Sequence, residues 1–350
     1  MNRIKKSNTL RSLILAAGFV LLLTGCGSAK ESTADGLPKE VKIGIIRVPN
    51  DKAVAMSEGY FEQYFEDKGI ETKFLFFDSG VAANQAFSSG SIDFAEMGYT
   101  NSVVALSTGI PVEMIWIHEI LGSNEALVAQ KDSGIKTVED LVGKKVATPF
   151  SSTSHYSLLK ATQDAGIEED VQFLDMQTSD IVAAWERGDI DAAYTWEPTL
   201  SELKKDGTVI IDSKELADKG YMTANIDLVH KDFAEKYPEL VSDYTRALDE
   251  AVRFYNEDPE AAAKAAAKQL DITVEEAAMQ MQASKWLTSE EQVSAPYLGT
   301  NKTPGEFSQV FLDTAKFLEE QNSIGEVPDK EAIDAFIETK YIEDTLTEQE

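Results

Sequence analysis

Three short segments gather the residue types that can receive a small anion without help from a cation. They are Asp78-Ser79-Gly80, Gly98-Tyr99-Thr100-Asn101-Ser102 and Ser151-Ser152-Thr153-Ser154. Each follows an apolar run of strand length and opens a helical one. Backbone N–H groups at a helix start have no intrahelical acceptor and sit at the positive end of the helix dipole, so a helix start can hold an oxyanion. Hydroxyl and amide side chains would add donors. The same residue types also cap helices for structural reasons alone, and the sequence leaves both readings open. The candidate contacts on these segments are Ser79, Gly80, Tyr99, Thr100, Asn101, Ser152, Thr153 and Ser154.

Other chemistry has less support. The three histidines, His118, His155 and His230, show neither H-x-H nor H-x-x-x-H spacing, so no metal site is expected. His155 follows the serine cluster, but a nucleophile would need a Ser, a His and an orienting acid in contact. A helix-opening His beside an anion pocket is the more economical account. No catalytic residue and no cofactor are expected.

The elements that must position these segments follow from periodicity. Strand-length runs at 41–46, 72–77, 91–97 and 112–117 alternate with helical stretches, the first at 52–68. The pattern repeats after Glu125, with runs at 126–129, 145–148, 171–174 and 190–195. Such alternation predicts βαβ units and a mostly parallel sheet. From Asp232 onward the chain reads as helical, with Asp258-Pro259-Glu260 as an N-cap before a first-turn Pro and Thr273-x-x-Glu276 as a capping box. Two α/β units and a helical tail predict an α/β, two-lobed molecule with a cleft, in which ligands bind beyond the carboxyl ends of strands.

The N-terminus reads as a processing signal. Arg3, Lys5, Lys6 and Arg11 precede an uncharged apolar core at 13–23, too short for a spanning helix of roughly 20 residues. Leu23-Thr24-Gly25-Cys26 then has the form of a lipobox. Cys26, the single cysteine, is the expected lipidation site, which leaves the mature chain without thiol or disulfide. The expected organisation is a signal at 1–25, a flexible tether at 26–38, a first lobe at 39–122, a second at 123–228, and a mostly helical return to the first at 229–345. The full chain of 350 residues carries −29, and residues 1–25 hold four basic residues and no acid. So acidic a surface excludes nucleic acid as a partner.

Pro149-Phe150-Ser151-Ser152-Thr153-Ser154-His155-Tyr156-Ser157 resembles the corresponding segment of taurine-binding proteins. So do Phe77-Asp78-Ser79-Gly80, Glu125-Ala126-Leu127-Val128, Ala184-Trp185-Glu186-Arg187-Gly188-Asp189-Ile190-Asp191 with Trp196-Glu197-Pro198, and Lys231-Asp232-Phe233-Ala234. The similarity runs in order over about 41–337. It implies a type II periplasmic-binding-protein-like fold, a hinge near Gly122 and Ala224, and a monomer anchored by lipid on the extracytoplasmic face. It also implies that the protein hands a small aliphatic sulfonate to an ABC permease and its ATPase. The resemblance places the sulfonate against Ser79, Gly80 and Ser152-Thr153, with Trp196 lining the cleft and Asn124 and Glu125 at the crossing between lobes. Two positions depart from the family. Asn225 stands where those binders carry an Asp suited to a ligand ammonium, with Asp227 two residues on, and Arg47 occupies a loop that is usually uncharged. Either the ligand lacks the amine, as isethionate does, or Arg47 is paired with an acid such as Asp51 and Asp227 or Glu125 meets the amine. Nitrate, pyrimidine precursors and a pyrimidine-synthase-like activity on the same fold are the alternatives.

Overall fold

The computed structural model describes residues 36–348, so the expected signal, Cys26 and most of the expected tether lie outside the described residues. The described chain opens with β1 (Glu40–Ile46), in which Val41, Ile43 and Ile45 are buried. That is the period-two pattern of a strand facing a core. The helix expected over 52–68 is broken into Asp51–Glu58, Tyr60–Phe65 and a 3-10 turn, Glu66–Lys68. The break falls at Gly59, which adopts φ +76°, a left-handed conformation that ends a helix and favours glycine.

The remaining strands are β2 (Glu71–Phe77), β3 (Phe94–Gly98), β4 (Val112–Ile120), β5 (Glu125–Gln130), β6 (Lys145–Thr148), β7 (Gln172–Asp175), β8 (Ala192–Trp196), β9 (Gly207–Asp212) and β10 (Ala224–His230). They form two five-stranded sheets of matching design, β2-β1-β3-β10-β4 and β7-β6-β8-β5-β9. Parallel pairing holds for β2-β1-β3 and for β7-β6-β8. The other pairings are antiparallel, which corrects the mostly parallel expectation. β5, by which the chain enters the second sheet, inserts antiparallel between β8 and β9. β10, by which it returns, inserts antiparallel between β3 and β4. The expected end of the second lobe at 228 therefore falls inside a first-sheet strand, and the return crossing lies at 218–223.

The two crossings run side by side, with Leu121 N–H donating to the Thr223 carbonyl at 2.9 Å. Gly122 is required there, because an added Cβ would sit 2.2 Å from the Ala283 carbonyl oxygen. The helical tail covers the first sheet, and β1, β3, β4 and β10 share one apolar cluster with tail helices such as Pro238–Glu257 and Phe307–Glu320. Each fully buried aliphatic or aromatic side chain in such a cluster contributes about 1.5–3 kcal/mol. Asp258 accepts from Ala261 N–H at 3.0 Å, and Thr273 with Glu276 forms the expected capping box. The tail also holds two short paired strands, Gly299–Thr300 and Thr303–Pro304, which its helical reading did not include. The second sheet has a separate apolar cluster on each face.

Candidate functional site

The helices Gly80–Ser88, Tyr99–Ser107 and Thr153–Asp164 begin near the carboxyl ends of β2, β3 and β6. Their starts converge. A Cβ on Gly80 would lie 2.4 Å from Asn101 Oδ1, and one on Gly98 would lie 3.0 Å from the Thr153 methyl. Thr100 Oγ1 donates to the Ser151 carbonyl at 3.0 Å, joining the two lobes. Together they wall one cleft of about 740 Å³, part of it open to solvent.

The geometry distinguishes a cap from a binding site. Ser79, the N-cap of the first helix, makes no side-chain cap hydrogen bond, and Gly98, the N-cap of the second, has no side chain with which to make one. Their first-turn N–H groups are left for another acceptor. Ser152 does cap its helix, accepting from His155 N–H at 3.2 Å. His155 itself stacks on Phe150 at 4.3 Å, and burial lowers its pKa to about 4, so it adds no positive charge. Among the described residues, neither the His155 ring nor the His118 ring is hydrogen-bonded to a serine hydroxyl.

Of the residues expected from the sequence, Ser79, Gly80, Asn101, Asn124, Glu125, Ser152, Thr153, Trp196 and Asn225 line this cleft. The others lie elsewhere. Arg47 is exposed, outside the lining, with its guanidinium 4.4 Å over the Phe76 ring. Its loop offers Val48 and Pro49 to the cleft instead. Nor is Arg47 paired with Asp51, which is buried and held by His118 at 2.6 Å and Trp116 at 2.7 Å. The Tyr99 side chain is buried against Thr314, its hydroxyl oxygen 2.7 Å from that of the threonine. Thr100 and Ser154 are also buried, with hydroxyls committed to Ser151 and Glu125.

Asp227 is buried beneath the cleft and does not line it. β10 runs away from the cleft, and two residues along a strand is roughly 6.6 Å of depth. There Asp227 Oδ2 meets Lys52 Nζ at 2.6 Å, His118 Nε2 at 3.1 Å and the Tyr244 hydroxyl at 2.5 Å.

Glu125 is fully buried and accepts from four hydroxyls: Thr153 at 2.5 Å, Ser154 at 2.8 Å, Ser157 at 3.4 Å and Ser213 at 2.6 Å. Burial raises its pKa while these donors oppose the rise. The Thr153 hydroxyl is therefore committed to a carboxyl group of the protein, which leaves an incoming ligand the backbone N–H groups of this helix start. Thr153→Val is expected to lower stability by about 1–3 kcal/mol and to change the affinity of the cleft for its ligand less than threefold. Urea melts and calorimetry on the same preparation separate the two effects.

Among the described residues, the cleft is lined by Glu119, Glu125 and Glu197 and by no Lys or Arg. Glu197 is paired with Lys204 at 2.9 Å and accepts from Ser201 N–H at 2.8 Å. Glu119, at the end of β4, accepts from Asn225 Nδ2 at 2.7 Å and from Ser284 Oγ at 2.7 Å, with no ion-pair partner among the described residues. Burial pushes its pKa up to about 7, which the two hydrogen bonds oppose and the nearby Glu96 and Asp51 reinforce. Gln280, on the helix Val274–Gln282, also lines the cleft, and its side chain makes no hydrogen bond among the described residues. Sequence reasoning missed both. Ending the fourth strand at 117 hid the polar His118-Glu119 pair at the carboxyl end of an apolar run, which was the available signal. Gln280 sits in the tail, where nothing marks one amide among many.

The NMT1/THI5 like family profile matches residues 54–262 of the 350. The chain belongs to that family. The taurine-binding periplasmic protein of Escherichia coli (strain K12) is 35% identical over 268 residues, covering 75% of this chain and 81% of that protein. The periplasmic aliphatic sulphonate binding protein SsuA from Escherichia coli superposes with a TM-score of 0.69 at 22% identity, over 84% of this chain and 91% of that one. The desulfurization enzyme DSZB superposes with a TM-score of 0.65 at 16% identity, over 89% of this chain and 100% of that one. At those identities the two structures share the fold, and the fold alone holds both binding proteins and an enzyme.

Proposed function

We propose that this protein is the extracytoplasmic solute-binding component of an ABC importer and takes a small aliphatic sulfonate of the taurine class. One observation carries the reading: helix starts without side-chain caps converge on a cleft that has no Lys or Arg in its lining among the described residues. Uncharged N–H donors at dipole termini suit a sulfonate, whose three oxygens can meet more than one helix. The relationship at 35% identity to a taurine-binding protein supports the same ligand class. The ligand bridges the lobes, the paired crossings at 121–124 and 218–223 absorb the rotation, and the permease with its ATPase receives the closed form. The protein binds without chemistry, as a monomer held to the extracytoplasmic face of the membrane by lipid on Cys26.

A thermal-shift and calorimetry panel of taurine, isethionate, nitrate, a pyrimidine precursor and amino acids tests this. A sulfonate at 100 times its dissociation constant should add about 2.7 kcal/mol of stability. A panel in which no sulfonate raises the midpoint, while nitrate or a pyrimidine precursor does, replaces the proposed ligand class.

A further inference from the structure

Among the described residues, the lining of the cleft holds three carboxyl groups and no basic residue, which is an unexpected composition for a site that receives an anion. Two of the three are accounted for within the protein: Glu125 by four hydroxyls, and Glu197 by Lys204 and a backbone N–H. Glu119 is different. Each of its oxygens accepts one neutral donor and retains a free lone pair, and 1% of the residue is exposed. A buried carboxylate with no cation carries a large desolvation cost, and a ligand cation would relieve it.

The register shows where such a cation would sit. Gly98, Asn225 and Glu119 are aligned across β3, β10 and β4. Glu119 therefore stands two strand spacings, roughly 10 Å backbone to backbone, from the start of the Tyr99–Ser107 helix. Its side chain, the Asn225 side chain and a short ligand fill that interval. We propose that Glu119 is the specificity-determining residue of the cleft, receiving a ligand ammonium carried a few bonds from the sulfonate. Asn225 acts as its positioning residue, holding one carboxylate oxygen in place. This rests on the sulfonate reading above and narrows it to aminosulfonates.

The groups around Glu119 sharpen the test. Glu96 on β3 and Asp51 add negative charge, while the cations on the same side, Lys52 and His118, are held by Asp227 and Asp51. Lys285, on the segment that carries Ser284, is exposed and paired with Glu291. Among the described residues no cation pairs with the ionised form of Glu119, so the ligand would supply its counter-charge. Taurine affinity should weaken as the pH falls through about 7 and the carboxylate takes a proton. Isethionate, an anion with no amine, should bind more tightly over the same interval.

The experiment is calorimetry of wild type and Glu119→Gln with taurine and with isethionate, at pH 8 and pH 5.5. Wild type should prefer taurine at pH 8 and lose roughly tenfold in affinity per pH unit below 7. The variant should bind taurine at least about tenfold more weakly, bind isethionate no worse than wild type does, and show flat profiles for both. Wild-type protein that binds isethionate as tightly as taurine at pH 8, or with the same pH slope, overturns the assignment while leaving the sulfonate reading in place. Binding of neither ligand overturns both. The two wild-type profiles stand even where the variant fails to fold.

Discussion

Asp227→Asn is expected to cost about 3–5 kcal/mol of folding stability and to leave sulfonate affinity nearly unchanged. The side chain of Asp227 is completely buried, and its Oδ2 meets Lys52, His118 and Tyr244 within 3.1 Å. Lys52 is equally buried, and its ammonium also donates to the Gly44 carbonyl at 3.2 Å. An amide keeps the shape and removes the charge, so the ammonium is left in the interior without its anion. The loss exceeds that of a surface pair because the stranded charge cannot reach water. His118 adds a pH dependence. Burial opposes its charge, yet Asp51 and Asp227 overcome that and hold its pKa at about 10. A raised pKa contributes stability that is complete below the unfolded value near 6.5 and is lost as pH rises towards 10. Wild type should therefore lose stability between pH 7 and pH 10, and the variant, with one carboxylate partner fewer on His118, should lose less over that interval. Urea melts at several pH values check both statements. Unchanged stability together with lost taurine affinity would instead make Asp227 the contact that its sequence position suggested.

Asp227 also illustrates how far the sequence could be read. Strands and helices were readable because each is a local pattern: alternation in β1, an Asp-Pro start at 258–259, a capping box at 273–276. The three anion-suited helix starts were readable for the same reason, since each is a contiguous set of small polar residues after a strand. What a side chain faces is not local. Asn225 and Asp227 share a strand, yet one lines the cleft and the other is bound to Lys52, because β10 inserts antiparallel between β3 and β4 and carries its second residue downward. Thr153 and Ser154 read as donors to a ligand, and their hydroxyls turn to Glu125, which arrives from a strand some thirty residues earlier. Glu119 and Arg47 exchange the places that charge alone would assign them. The basic residue stacks on a surface ring, and the acidic one enters the site.

Gly80→Ala is expected to weaken sulfonate binding by roughly 5- to 150-fold, the equivalent of about 1–3 kcal/mol of overpacking. The backbone at Gly80 has no left-handed φ, so alanine is sterically allowed within its own residue. The obstacle is its neighbour. The new methyl would stand 2.4 Å from Asn101 Oδ1, 2.6 Å from its Cγ and 2.9 Å from its Cβ. Carbon in ordinary contact keeps about 3.5–4.0 Å, so one helix start must move from the other. Asn101 is buried at the cleft lining and cannot swing into solvent. The displaced groups are the uncapped first-turn donors of both helices, so the strain should appear as lost affinity more than as lost folding stability. A double-mutant cycle separates this from general damage. In an Asn101→Gly background the three clashing atoms are gone, and Gly80→Ala should then cost much less, giving a coupling energy of about 1 kcal/mol or more. Full affinity in the Gly80→Ala single variant would mean that the contact between these helix starts does not set the anion site, and the sulfonate would have to be held elsewhere in the cleft.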